Sequence, residues 1–182
     1  MNQQTNKVNR LIKKTHLGAP SATVEGIEYY EDRKLDKSQM LWLSTCKYID
    51  EGHHVILEGA SGNGKTYIAC ALGNAACRRF MTVTYIRMPE LLDELTVARS
   101  SGELKKLLAF YKKVDLLILD EWLIRPLTPQ ESYDLLEIAE ARSQRSMIFC
   151  TQYQPVGWYT RIDPNPESDF RSNYGPYSPQ FI

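Results

Sequence analysis

Val55-Ile-Leu-Glu58, then Gly59-Ala-Ser-Gly-Asn-Gly64-Lys65-Thr66, then an Ala- and Leu-rich run to about Arg79, is the stretch that decides the fold. The residues before Gly59 read as a short buried strand, and the run after Gly64 reads as a helix. Between them, Gly59 to Thr66 fits G-x-x-x-x-G-K-[ST] in the strand–turn–helix setting that gives this spacing its meaning. Glycines let such a loop wrap so that backbone N–H groups point inward around phosphate oxygens. The helix N-terminus adds partial positive charge at the same point. In this reading Gly59, Ala60, Ser61, Gly62, Asn63 and Gly64 form the cradle. Lys65 reaches the β- and γ-phosphates as a point charge, and the Thr66 hydroxyl binds Mg²⁺. The competing explanation is a glycine turn that happens to end in Lys-Thr; the flanking strand and helix speak against it.

Downstream, the apolar run Leu116-Leu-Ile-Leu119 ends in Asp120-Glu121. Carboxylates after a strand are, taken alone, usually a solvated strand end. With the glycine loop upstream, Asp120 is expected to support the Mg²⁺ shell and Glu121 to polarise an attacking water. A further strand, Met147-Ile-Phe-Cys150, ends in Thr151-Gln152. A polar side chain there would sense the γ-phosphate between the two motifs, and an ordinary strand-end turn accounts for these residues nearly as well.

The remaining elements follow from periodicity and punctuation. One amphipathic helix is expected over residues 35–49 with Asp36 as its N-cap, and a strand over 83–86. Helices follow from Pro89 to about Ser100 and over 103–113. Thr128-Pro129-Gln-Glu131 is a capping box opening a helix that reaches about Arg145. Nearly all-apolar strands alternating with helices imply an α/β fold with a parallel sheet covered on both faces. Residues 1–25 read as a polar N-terminal arm, a short helix and then a flexible stretch. Residues 26–163 form the core, and 164–182 an irregular, proline-rich tail.

Composition narrows the function classes. At 182 residues, 43% hydrophobic and 24% charged, the chain is one globular domain and not a disordered chain, a collagen-like fibre or a disulfide scaffold. Lys+Arg and Asp+Glu both number 22, so nucleic acid must be met by a local patch, not by global charge. Lys105, Lys106, Lys112 and Lys113 fit a DNA-facing edge, or simply a solvated helix face. Met1 to Lys14 has no apolar core of a secretory signal, and no apolar run approaches the ~18 residues of a membrane span. Cys46, Cys70, Cys77 and Cys150 lack CxxC spacing and are expected as reduced thiols in a cytoplasm. His16, His53 and His54 have no partner at metal spacing and read as surface or strand-flanking residues.

From about Ala22 to Pro166 the chain resembles the IstB family, ATPase helpers of two-gene bacterial insertion sequences and close relatives of DnaC-type helicase loaders. The resemblance rests on Asp36-Lys-Ser-Gln39, Gly59–Thr66, Ala69-Cys-Ala-Leu-Gly-Asn74, Arg87-Met-Pro-Glu-Leu-Leu92, Leu116–Trp122, Pro126-Leu-Thr128, Asp134-Leu-Leu-Glu137 and Gly157-Trp-Tyr159. The loop alone names only an NTPase; the other segments make the match specific. The resemblance implies an AAA+ P-loop NTPase fold, three layers α/β/α around a parallel sheet, binding ATP with Mg²⁺. It further implies self-assembly on DNA without strong sequence preference, and recruitment or stimulation of an IstA-like transposase. A DnaC-type helicase loader and a decayed, non-catalytic ATPase acting as a binding module stay open as alternatives.

Three departures qualify the resemblance. The family usually has Asp-Asp where this chain has Asp120-Glu121. Its N-terminal helical region would be represented only by a remnant in residues 1–25. Its continuation, Asp-Arg-Ile/Leu-[Val/Ile]-His-Asn, is absent in this frame. One back-translation of Phe170–Ile182, read one base later, gives SDQIMDRIVHNS, so the expectation is a frameshifted copy without the last strand and lid. The Asp-Arg of that pattern would supply the arginine acting in trans; Arg161 and Arg171 remain, outside it. Weak to moderate ATP binding and poor turnover are the expected consequence.

Overall fold

In the computed structural model, which describes residues 3–162, four apolar runs form one parallel sheet. The strands are β1 (Val55–Glu58), β2 (Val83–Arg87), β3 (Leu116–Trp122) and β4 (Met147–Thr151), in the order β1-β4-β3-β2. The helices are α1 (Gln3–Thr15), α2 (Lys37–Ser44), α3 (Lys47–Asp50), α4 (Lys65–Arg78), α5 (Met88–Ser101), α6 (Leu104–Lys113), α7 (Pro129–Ala141) and α8 (Trp158–Ile162). Residues 164–182, with Arg171 and the stretch read in a second frame, lie outside the described residues.

Side-chain alternation along the strands divides the core in two. Leu116, Ile118, Ile148 and Cys150 face the layer of α1 to α4. Leu117, Leu119, Met147 and Phe149 face the layer of α5 to α8. The result is the expected three-layer α/β/α architecture. The caps read from sequence are present: the Asp36 carboxylate accepts from the Ser38 and Gln39 N–H groups, and Thr128 with Glu131 makes both bonds of the capping box.

Several boundaries differ from the expectation. The single helix over 35–49 is two, because buried Cys46 takes a left-handed φ of 60° and redirects the chain. The turn lets Leu43 and Tyr48 enter the same core cluster. α7 stops at Ala141 because Arg142 turns inward. Its fully buried guanidinium donates to the carbonyls of Tyr111, Val114, Asp115 and Ser146 at 2.9, 2.7, 3.3 and 2.7 Å. The end of α6 and the starts of β3 and β4 are thereby tied together. Where sequence suggests a flexible arm, the segment after α1 is packed down: Leu17, Ala22 and Ile27 are buried, and Asn74 of α4 donates to the carbonyls of Pro20 and Ala22.

His54 flanks β1 as expected but is buried, its Nδ1 accepting from the Met147 N–H at 3.2 Å. His53 is partly exposed and lies 3.3 Å from Glu51. The four cysteines are free and buried. Among the described residues no helix is long and apolar enough to cross a membrane.

Candidate functional site

The glycine loop leaves the end of β1 and delivers the chain into α4. Gly62 and Gly64 hold φ of 83° and 76°, where a side chain would be strained, so the two glycines make the wrap possible. The Gly59 N–H donates to the Thr151 carbonyl at 3.1 Å, which fixes the loop's start against β4. Lys65 Nζ donates to the carbonyls of Gly59 and Ala60 at 2.6 and 2.7 Å, holding its charge at the mouth of the loop.

Strand parity then explains Asp120. Leu116 and Ile118 face α4, so Asp120, two residues on, points to the same side and meets the first turn of α4. Its Oδ2 accepts from the Thr66 hydroxyl at 2.7 Å and from the Tyr85 hydroxyl at 2.7 Å, and its Oδ1 from the Glu121 N–H at 2.8 Å. Asp120 is only 6% exposed, and these three donors keep its carboxylate satisfied. Burial and the adjacent carboxylate raise the Tyr85 hydroxyl far above its usual range, so it stays a donor. Burial likewise keeps the Cys150 thiol protonated beside the site.

Glu121 would follow the same alternation onto the opposite face, but the strand is irregular here. From Leu119 to Trp122 the register against β4 shifts by one residue, and Glu121 takes a left-handed φ of 54°. The re-aimed carboxylate is held by Arg87, whose Nη2 donates to Oε1 and Oε2 at 2.7 and 2.8 Å. Arg87 lies opposite Asp120 in the β2–β3 register and also contacts Glu90 at 3.3 Å. Arg87 is a site residue that no motif in the sequence marks for the site. Its available signal was a cation ending one strand beside carboxylates ending the next.

Thr151 and Gln152 separate in the structure. Thr151 is 1% exposed, its hydroxyl lying 3.3 Å from the carbonyls of Trp122 and Tyr153 and accepting from the Tyr153 N–H, so it builds the strand-end turn. Gln152 is exposed on the same cleft. That cleft, about 370 Å³, is bounded by Gly62, Lys65, Thr66, Glu121, Ile124 and Gln152 among others. A larger hollow of about 660 Å³ opens at the other ends of the strands, beside Phe80, Gln144 and Arg145, where no phosphate loop lies.

Arg161, Lys106 and Lys112 are engaged in contacts within the chain. The Arg161 guanidinium stacks on the Tyr153 ring at 3.5 Å and donates to the Leu123 carbonyl at 3.2 Å. On α6, Lys112 pairs with Glu137 and Lys106 with Glu103.

The sequence profile of the family described as IstB-like ATP binding protein matches residues 1–164. The chain belongs to this family. The match begins ahead of α1, so the N-terminal segment is part of what is shared. An insertion-sequence ATP-binding protein of Pseudomonas fluorescens is 37% identical over 147 residues, 80% of this chain and 64% of the relative. One from Sinorhizobium fredii is 38% identical over 157 residues, 86% of this chain and 62% of the relative. This IstB-like chain thus spans less than two thirds of the length of these relatives. Among solved structures, the DnaC helicase loader superposes with a TM-score of 0.63 at 19% identity, covering 85% of this chain and 87% of that one. The replication initiator DnaA bound to AMPPCP and single-stranded DNA gives 0.70 at 18% identity, covering 92% and 50%. These likenesses establish the AAA+ P-loop fold.

Proposed function

We propose that this chain is an ATP-binding helper of DNA transposition that assembles on DNA and acts with a transposase. The observation that carries the reading is the convergence of Lys65, Thr66 and Asp120 at one end of a cleft in an IstB-like chain. Gly59 to Gly64 present the loop that receives the phosphates, and Lys65 swings its charge from the loop carbonyls to them. The Thr66 hydroxyl and the Asp120 carboxylate are adjacent hard oxygen donors that suit Mg²⁺, which binds through one or two protein oxygens plus substrate phosphates and water. Bound there, Mg²⁺ would supply neutralisation of phosphate charge. Gln152, exposed on the cleft, is the better placed of the strand-end pair to sense a γ-phosphate.

Glu121 is the base available to polarise water, yet both its oxygens are held by Arg87. Arg161 is bound within its own chain. These contacts favour a second reading alongside the first, in which the protein binds ATP to assemble and turns it over slowly. The names of the relatives support an insertion-sequence setting, hence a transposase of the IstA type, over a replicative helicase.

Assembly is tested by sedimentation on duplex DNA of arbitrary sequence with ATPγS or ADP. Nucleotide-dependent complexes, lost in Lys65→Ala, are the expected result. Assembly indifferent to nucleotide, or capture of a replicative helicase instead of the transposase in a pull-down of both, overturns the reading.

A further inference from the structure

We infer that Arg33 is a positioning residue for the phosphate loop, holding the Asn63–Gly64 peptide so that its N–H faces the phosphates; this rests on the nucleotide reading of the loop. Arg33 closes a 3₁₀ turn, Glu31–Arg33, well ahead of β1. Its Nη2 donates to the Asn63 carbonyl at 2.8 Å, and its Nη1 to the Glu28 carbonyl at 2.6 Å. The guanidinium lies so close over Gly64 that a Cβ built there would fall 2.4 Å from Nη2. A side chain at that position would displace the guanidinium, and the left-handed φ of 76° already favours glycine there.

The consequence follows from peptide geometry. A trans peptide is planar, and its C=O and N–H point in opposite directions. Drawing the Asn63 oxygen outward to Arg33 commits the Gly64 N–H to the inner side of the loop. That is the side on which such loops gather N–H groups around an anion. A charged donor makes this bond stronger than a neutral one would. The second prong on Glu28 keeps the guanidinium from swinging away, and only a planar fork with several fixed donors bridges two carbonyls in this way. The chain ahead of β1 is also tied to α4, Asn74 donating to the carbonyls of Pro20 and Ala22 and the Thr23 N–H donating to the Tyr67 hydroxyl at 3.4 Å. Residues ahead of β1 thus set the aim of a binding group in the loop.

The test uses the whole chain with Arg33→Gln and Arg33→Lys, titrated with MgATP and, separately, with magnesium tripolyphosphate, which has no base or sugar. The glutamine variant is expected to weaken both probes by the same factor, about tenfold, with the ligand-free melting temperature near that of the parent. The lysine variant is expected to lie between the two. Loss confined to ATP means that Arg33 touches base or sugar and overturns the inference, as does parental affinity for both probes. Should the glutamine variant fail to fold, parental affinity in the lysine variant overturns it instead. A parent chain that binds neither probe sinks the nucleotide reading and this inference together; a parent that binds both leaves that reading standing whatever the variants do.

Discussion

In the proposed site, the pairing of Glu121 with Arg87 bears most on turnover. Both oxygens of Glu121 accept from the Arg87 guanidinium, so neither is free to receive a hydrogen bond from an attacking water while the pair is closed. The pair is solvent-exposed on the arginine side and so opens readily. Arg87→Ala is expected to leave nucleotide affinity unchanged and to raise the slow release of phosphate several-fold. Glu121→Gln is expected to keep affinity and lower that release by about 10²-fold or more. Steady-state phosphate release beside a nucleotide titration checks both; a fall in turnover in Arg87→Ala would instead make Arg87 a support of the active geometry. Lys65, Thr66 and Asp120 were legible because loop spacing and strand parity are local properties. Arg87 and Arg33 were not, since neither sits at a position that a local motif marks for the site, and only the fold shows that their partners are Glu121 and Asn63.

At the scale of elements, the strands were readable because a parallel sheet buried on both faces demands continuous apolar runs. Helix starts were readable where a cap or proline marks them, as at Asp36, Pro89 and Thr128. Helix ends were less so. The ends at Ser44 and Ala141 follow from where Cys46 and Arg142 are buried, and neither side chain announces that in sequence. Where β1 and β4 begin, His54 gives a pH test. Burial, with the charge of Arg142 nearby, lowers its pKa from 6.5 to about 4. The folded protein keeps this imidazole neutral, so the unfolded chain takes up the proton first as pH falls. Stability should therefore be unaffected by this group above pH 6.5 and decline between 6.5 and 4, by up to about 3 kcal/mol. His54→Asn keeps an acceptor for the Met147 N–H and should flatten that decline. Urea unfolding at a series of pH values measures it, and equal slopes in the two proteins would speak against the assignment.

For the whole molecule, the central claim is that the three layers exist to hold one nucleotide cleft at the carboxyl ends of β1, β3 and β4, with the N-terminal segment bracing it. The balance of 22 basic and 22 acidic residues leaves the proposed DNA contact to local surfaces and to the proposed nucleotide-dependent assembly. Ligand that binds only the folded state must stabilise it in proportion to its affinity. The measurement that bears most directly on the claim is denaturant unfolding of the parent and of Lys65→Ala in the same concentration of MgATP. At 100 times the dissociation constant the parent should gain about 2.7 kcal/mol, and the variant little or nothing. No gain in the parent, or an equal gain in both, would contradict the account.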